Sequence, residues 1–198
     1  TKRYDRINGL KYNQVDFAQV MGVKSADKYK YSSEELFVAV NKKLSSKEAK
    51  LKALMFYYYS YLIKHADLHL KNIAALEIGN KKYILAPLYD LISVGVYHGE
   101  SLDLALPLRE PYKKPKNWKL HDFYKLAKLV GVSESLFKKE ARNITKVYIT
   151  KMPEYIKKLA EFERENPLPM QNTRVSSYRG FASKINNMLQ EKILTLKK

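Results

Sequence analysis

The hydrophobic pattern of the chain changes at one stretch, His65-Ala66-Asp67-Leu68-His69-Leu70-Lys71-Asn72. Before it, apolar residues recur at intervals of three and four from Leu51 to Leu62, which predicts a long, central helix. After it, residues 72–78 and 82–85 form two β-like runs, and Gly79-Asn80-Lys81 between them is a hairpin signal. The sequence therefore predicts a helix, a polar loop and a hairpin in this order.

The rest of the chain has mainly helical patterns. Asn13 and Gly22 occupy the positions of an N-cap and a stop signal for a short helix, and Ser33 begins another helix. Pro153 should break or kink the helix that precedes it. Further helical periodicity is found in residues 122–130, 134–150, 154–165 and 177–196. We predict a mainly α fold with one small β-hairpin.

The composition is that of a folded and strongly basic chain. It has 198 residues, of which 45% are hydrophobic, and a formal net charge of +17. Such a charge attracts nucleotides, nucleic acid or acidic proteins, although lysine-rich helix surfaces explain it equally well. The absence of cysteine excludes disulfides and thiolate chemistry. Apolar stretches are too short for a bilayer and no signal-peptide pattern opens the chain, so we expect a cytoplasmic protein without membrane contact.

Three polar residues have the order and spacing of a phosphoryl-transfer site. Asn72 follows Asp67 by five residues, and Asp90 comes directly after the predicted hairpin. Protein kinases place their catalytic Asp and a metal-binding Asn at this spacing, and a metal-binding Asp follows farther along the chain. Mg²⁺ prefers carboxylate and amide oxygens of this kind. The pattern predicts one cleft that binds a metal and phosphate groups.

Four ordered motifs between residues 3 and 93 resemble the HipA family of bacterial serine/threonine kinases, the toxins of toxin–antitoxin systems. They are the stretch 65–72, Leu85-Ala86-Pro87-Leu88-Tyr89-Asp90-Leu91-Ile92-Ser93, Arg3-Tyr4-Asp5-Arg6, and Gln14-x-Asp16-Phe17 with Gly22 and Lys28-Tyr29. The resemblance implies a protein-kinase-like C-lobe, a HipA-like C-terminal helical domain, over residues 1–198. Its parts would be an interlobe hinge at 1–6, the catalytic loop, hairpin and metal-binding motif at 65–93, and a helical part at 120–198.

The resemblance also implies a reaction and the residues that perform it. The reaction would be transfer of the γ-phosphoryl group of ATP to a hydroxyl group of a protein substrate, with Mg²⁺ as the metal. Asp67 would be the catalytic base, and Asn72 and Asp90 would hold the Mg²⁺ ion.

Further residues are expected near the nucleotide. The backbone of Tyr4 and of its neighbour Asp5 would offer hydrogen bonds to the adenine. Lys71 would contact a phosphate. Structural roles beside the site are expected for His65, His69 and Tyr89. We expect His65 to brace the loop by a hydrogen bond to a backbone carbonyl, and His69 to be partly exposed.

One part of a kinase is missing from the sequence. A Gly-rich loop and a strand Lys normally hold the phosphates of the nucleotide, and neither precedes Tyr4. We therefore expect that the N-lobe is absent from this chain and that the chain is either the C-terminal half of a longer kinase or completed by another polypeptide. Alone it should be inactive.

Three other functions are compatible with parts of the sequence. The spacing of His65, Asp67 and His69 would suit a metal-dependent hydrolase. A small-molecule phosphotransferase would use the same cleft on a sugar or an aminoglycoside.

The third alternative is a basic helical module that binds DNA or an antitoxin and keeps its kinase motifs as relics. Its contacts would come from Lys113-Lys114-Pro115-Lys116 and from the basic helix with Lys138, Lys139, Arg142 and Lys146. HipA-type kinases act together with a DNA-binding antitoxin, so the resemblance implies an antitoxin partner, with DNA contacted through that complex.

Overall fold

The computed structural model describes residues 3–98, 104–109, 118–167 and 180–197. Its helices are α1 (Phe17–Val20), α2 (Ser33–Lys43), α3 (Lys47–Leu62), α4 (Gly95–His98), α5 (Tyr124–Leu129), α6 (Glu134–Glu165) and α7 (Phe181–Lys197). Its strands are β1 (Arg6–Ile7), β2 (Leu10–Lys11), β3 (Gln14–Asp16), β4 (Ala74–Glu77) and β5 (Tyr83–Leu85). The predicted mainly helical fold with a small hairpin is confirmed. Residues 1 and 2 of the predicted hinge, Lys113 to Lys116, and residues 177–179 lie outside the described ranges.

Helix α3 is the axis of the hydrophobic core, as its pattern predicts. Ser46 caps its first turn by accepting a hydrogen bond from the Ala49 amide, 3.1 Å away. Its later turns are buried on most sides, and large aromatic side chains of the other elements surround them: Phe37, Trp118, Phe123 and Phe137. No helix in the described ranges, α3 included, is long and apolar enough to cross a membrane.

The tyrosine hydroxyls of α3 are used inside the core. Tyr57 donates to the Leu106 carbonyl at 2.7 Å, and Tyr61 donates to the Trp118 carbonyl at 2.9 Å. A buried hydroxyl without a partner would cost free energy. These two bonds therefore hold the segments that contain Leu106 and Trp118 against α3.

The sheet has one more strand than the sequence predicts. β4 and β5 form the predicted hairpin, and β3 pairs with the other edge of β4, in the order β3-β4-β5 with all neighbours antiparallel. The prediction of a helix from Asn13 to Gly22 is therefore wrong in its first half. The helix begins only at Phe17 and is capped by Asp16, which accepts a hydrogen bond from the Gln19 amide at 2.8 Å. Pairing with β4 outweighs the weak helical pattern of these residues.

A second hairpin, β1–β2, precedes this sheet. Its turn is Asn8-Gly9, and both residues have a left-handed backbone, with φ of 51° and 78°. Asn-Gly is the preferred dipeptide of such a two-residue turn. The signal was present in the sequence, but the strands on either side are only two residues long.

Helix α6 runs without interruption from Glu134 to Glu165 and contains Pro153. The predicted separation into two helices is wrong. A proline inside a helix removes one backbone hydrogen bond and costs about 3 kcal/mol. Met152 and Ile156 pack against the core on either side of Pro153, and this packing keeps the helix continuous.

Helix α7 brings a lysine into the core. Lys192 is 5% exposed, and its Nζ lies 3.5 Å from the centroid of the Tyr61 ring. Burial lowers the pKa of Lys192 to about 7; the charge of Lys64 acts in the same direction, and Glu191 opposes it. The lysine is thus half protonated near neutral pH.

We expect stability to rise with pH through this lysine. An unfolded lysine keeps a pKa near 10.5, so the unfolded state binds more protons than the folded state above pH 7, and the free energy of unfolding increases with pH until about pH 10. Between about pH 7 and pH 9 the increase should be about 2 kcal/mol. Urea unfolding at both pH values should show this increase in the free energy of unfolding in the wild type and not in Lys192→Met. Lys138→Met, at an exposed position of α6, should keep the wild-type increase; equal pH dependence in all three proteins would contradict the assignment.

Candidate active site

The site loop, residues 65–72, begins where α3 ends in a tight turn. Lys64 has a left-handed backbone with φ of 50°. The His65 amide donates to the Ser60 carbonyl at 2.8 Å, and the Lys64 amide donates to the Tyr61 carbonyl at 3.3 Å. These two bonds form a Schellman motif, which satisfies the last carbonyls of the helix. The turn directs the chain out of the core at a defined angle.

Alternating apolar residues hold the site loop against the protein. Leu68, Leu70 and Ile73 are buried, while Asp67, directly before Leu68, stays partly exposed. The first amide of α1, that of Phe17, donates to the carbonyls of Leu70 and Ile73 at 3.1 Å and 3.0 Å. The polar side chains of the loop are therefore presented from a fixed backbone.

Asp67 and Asn72 are joined directly. The Asn72 side-chain Nδ2 donates to the Asp67 carbonyl at 2.9 Å, and the His69 amide donates to the same oxygen at 2.8 Å. The Asp67 carboxylate accepts a hydrogen bond through Oδ1 from the Tyr29 hydroxyl, 2.7 Å away. Within the described ranges the amide oxygen of Asn72 makes no hydrogen bond, so it is free to bind a cation.

Asp90 is brought to the same place by its neighbour. The Tyr89 hydroxyl donates to the Lys71 carbonyl at 2.6 Å, which joins the end of the hairpin to the site loop beside Asn72. Asp90 itself is exposed and has a left-handed backbone with φ of 51°. Among the residues that the structure describes, nothing forms a hydrogen bond or ion pair with its carboxylate.

The charges of both carboxylates act on Tyr29. The hydrogen bond to Asp67 raises the pKa of Tyr29 to about 12, with help from burial and from the charges of Asp67 and Asp90. Burial lowers the pKa of His65, and the charges of Asp67 and Asp90 oppose this effect. The Asn72 side chain is bonded to the Asp67 backbone, and the Tyr89 hydroxyl is bonded to the Lys71 backbone, so Asp67, Asn72 and Asp90 lie on adjoining segments.

The two histidines differ from their expected roles. His65 is fully buried, and neither ring nitrogen meets hydrogen-bond geometry with a protein partner. Burial lowers its pKa, against weaker effects of Asp67, Asp90 and the Ile92 backbone, so the predicted brace is at most a weak contact. His69 is only 5% exposed, which corrects the prediction of partial exposure; the Tyr29 ring packs edge-on against it, with centroids 5.0 Å apart.

A zinc-type centre is not formed by these histidines. Among the described residues, no group of three or more His, Asp and Glu side chains is arranged to hold a metal ion. His65 lies in the core, whereas Asp67 is partly exposed. The arrangement argues against a hydrolase that uses His65, Asp67 and His69 as ligands. A magnesium site with one carboxylate and one amide would need no such group.

The predicted hinge residues lie next to the metal-binding motif. The ring of Tyr4 stacks on that of Tyr89, with centroids 6.3 Å apart, and its hydroxyl donates to Gln14. The carboxylate of Asp5 is occupied by Arg3 and Arg6, at 2.7 Å and 2.6 Å, and the hydrogen bond from Arg3 lowers its pKa. A contact with a nucleotide at this point would involve the backbone or the Tyr4 ring, rather than the Asp5 side chain.

The sequence did not reveal the contribution of the tyrosine segment, residues 25–30. Tyr29 contacts Asp67, and Lys71, the predicted phosphate ligand, has its Nζ 3.2 Å from the Ser25 hydroxyl. Lys28-Tyr29 is part of a recognised motif, but its spacing from the site loop carries no signal of contact. These contacts join residues 38 and 46 positions apart.

A large apolar groove lies apart from these carboxylates. It has a volume of about 1250 Å³ and is lined by α3, the hairpin and α6, with Tyr4 and Leu88 among its wall residues. Asp67, Asn72 and Asp90 do not line it. The groove therefore adjoins the hinge and is not the site of the predicted chemistry.

Comparisons with known proteins show the family of the chain and a similar fold. The HipA-like C-terminal domain family matches residues 1–155. The chain belongs to this family. The HipA-like chain is also similar to a chain of the solved complex of HipA, HipB and operator DNA from the toxin–antitoxin system of Shewanella oneidensis MR-1, with a TM-score of 0.70 and 21% identity. That likeness, which shows the fold, covers 96% of this chain and 46% of the other, so the chain spans less than half of that protein. No curated protein matches this chain significantly.

In the HipA-like chain, the segment after Asp90 returns to the start of the site loop. The Ser93 hydroxyl donates to the Ile63 carbonyl at 2.6 Å, and the Gly95 amide donates to the Lys64 carbonyl at 3.1 Å. A Cβ atom on Gly95 would lie 2.6 Å from the Cβ of Lys64. Glycine is thus required at position 95 for the two segments to meet.

Gly95→Ala should lower the free energy of unfolding by about 1–3 kcal/mol, because neither Cβ atom can move aside without a backbone shift. The same change in a Lys64→Gly background should cost much less, since the opposing Cβ is gone and glycine suits the left-handed backbone there. Chemical denaturation of the four proteins of this double-mutant cycle measures the difference. An equal cost of Gly95→Ala in both backgrounds would contradict the contact.

Proposed function

We propose that the chain is the catalytic lobe of a protein kinase that transfers the γ-phosphoryl group of ATP to a serine or threonine hydroxyl. The observation that carries the proposal is that Asp67, Asn72 and Asp90 lie on adjoining segments, and that among the described residues the Asn72 amide oxygen and the Asp90 carboxylate have no hydrogen-bond partner. Asp90 has no cationic partner among the described residues although the chain carries 37 Lys and Arg residues. Carboxylate and amide oxygens without protein partners are suited to Mg²⁺.

Each residue has a distinct role in this proposal. Asp67 accepts the proton of the acceptor hydroxyl, which requires a carboxylate at the surface of the cleft. The Asn72 amide oxygen and the Asp90 carboxylate hold Mg²⁺, which supplies positive charge to the phosphate oxygens. Lys71 contacts a phosphate after leaving Ser25, and Tyr4 with the backbone of Asp5 borders the adenine.

We further propose that a second lobe completes the nucleotide site. The chain covers only 46% of the similar HipA chain, and a Gly-rich loop and a strand Lys are needed to hold ATP phosphates. The lobe would belong to the same polypeptide or to a partner chain. Residues 1–198 alone should therefore show no ATP-dependent phosphorylation.

Asp67→Asn should lower kcat by about 10²- to 10⁴-fold in the polypeptide or complex that includes the second lobe, because it removes the general base. Asp90→Asn should raise the Mg²⁺ concentration needed for half-maximal rate. Glu165→Gln, an isosteric change at an exposed position, is the control and should leave both values unchanged. The phosphorylated product is identified by mass spectrometry.

Full activity of the Asp67→Asn, Asp90→Asn double variant would overturn the proposed function. A phosphorylated metabolite in place of a phosphoprotein would identify a small-molecule phosphotransferase. Phosphorylation by residues 1–198 alone would overturn the need for a second lobe.

A basic face on α6 favours an additional association with DNA and an antitoxin. Four exposed cationic side chains lie on one side of this helix, opposite buried Phe137, Ala141 and Tyr148: Lys138, Lys139, Arg142 and Lys146. The similar HipA structure is a complex with HipB and operator DNA. We propose that a DNA-binding antitoxin is the partner and that this face adds phosphate contacts.

Charge reversal at Lys139, Arg142 and Lys146 to Glu should weaken binding of the chain to a fluorescently labelled DNA duplex. Each lost phosphate contact should reduce the slope of log affinity against log salt by about 0.9, so the triple change should reduce it by about 2–3. Reversal of Lys11, in β2, and of Lys81 and Lys82, between β4 and β5, alters the net charge equally and is the control. Anisotropy titrations at several salt concentrations measure both slopes. Equal losses in the two variants would contradict a specific face on α6.

A further inference from the structure

We propose that Tyr29 is a positioning residue for Asp67: it holds one carboxylate oxygen so that the other is presented to the acceptor hydroxyl. The proposal rests on the proposed kinase function. Its basis is the 2.7 Å hydrogen bond from the Tyr29 hydroxyl to Asp67 Oδ1. In the described ranges this is the single side-chain hydrogen bond that the Asp67 carboxylate accepts.

Tyr29 is itself held on both sides. Its ring packs edge-on against His69, with centroids 5.0 Å apart, and Lys28 Nζ lies 4.9 Å from its centroid. The Leu70 amide lies 3.5 Å from the Lys28 carbonyl, which connects the tyrosine segment to the site loop through the backbone. Tyr29 is 49% exposed, yet it is braced by these contacts and so can transmit its position to Asp67.

The chemistry of the pair suits positioning. A carboxylate has two oxygens that accept hydrogen bonds in several directions, so a donor on Oδ1 leaves Oδ2 for the acceptor hydroxyl. The bond to Asp67 raises the pKa of Tyr29 to about 12. At neutral pH the phenol is protonated and donates to Asp67.

A gate is the competing interpretation of the same contact. A phenol that donates to Asp67 resembles an acceptor hydroxyl and would have to leave before the substrate enters. The brace by His69 and by the Lys28 backbone favours a permanent part of the site, because a gate would have to break those contacts in every turnover. The two interpretations predict opposite effects when the hydroxyl is removed.

Tyr29→Phe should lower kcat about tenfold in the active two-lobed enzyme, because a hydrogen bond to a charged group is lost. The KM values for ATP and for the protein substrate should change less than twofold. The melting temperature measured by circular dichroism should not shift. Tyr31→Phe, which removes a phenol hydroxyl two residues away, should leave kcat unchanged. A kcat/KM above the wild-type value would establish the gate and overturn the proposal. An unchanged kcat would also overturn the positioning role.

The hydrogen bond can be measured without activity. In residues 1–198 labelled with ¹³C at tyrosine Cζ, the Tyr29 resonance is assigned by its loss in Tyr29→Phe. It should titrate near 12 in the wild type and close to the ordinary value of about 10 in Asp67→Asn. Titration near 10 in the wild type would overturn the positioning role. A wild-type two-lobed enzyme without phosphoryl transfer would overturn the proposed function instead, while this titration would still report the contact.

Discussion

Burial of Leu68, Leu70 and Ile73 is the constraint on which the rest of the site depends. Each large apolar side chain removed from water contributes about 1.5–3 kcal/mol, and these three lie within six residues of each other. Because all three are buried, the loop between a helix and a hairpin has a fixed backbone without regular secondary structure. Asp67 and Asn72 inherit their positions from this packing.

A second feature is the way in which the two ends of the hairpin are joined. The bond from Tyr89 to the Lys71 carbonyl, at 2.6 Å, places Asp90 beside the site loop, and the stacking of Tyr4 on Tyr89 adds the hinge to the same corner. Within a chain whose net charge is +17, two carboxylates, Asp67 and Asp90, thus lie on adjoining segments. Such a contrast attracts a cation to the site and phosphate groups to its surroundings.

Most of the fold follows from local signals. The capping serines and apolar periodicity of α2 and α3, and the glycine-containing turn between β4 and β5, were sufficient to predict those elements. Two errors have a common cause. The residues from Asn13 became a strand because β4 offers an edge, and Pro153 stayed inside α6 because Met152 and Ile156 pack on either side of it. Tertiary pairing and packing outweighed local propensity in both.

The sequence by itself determined which residues carry the proposed chemistry, since Asp67, Asn72 and Asp90 are defined by their order around a hairpin and by motif spacing. Only the tertiary structure decided how they are used. The contact of Tyr29 with Asp67, the burial of His69 beneath the Tyr29 ring, and the Gly95 approach to Lys64 all join segments more than 25 residues apart. Contacts of this kind depend on how helices and loops pack together, which hydrophobic periodicity does not specify.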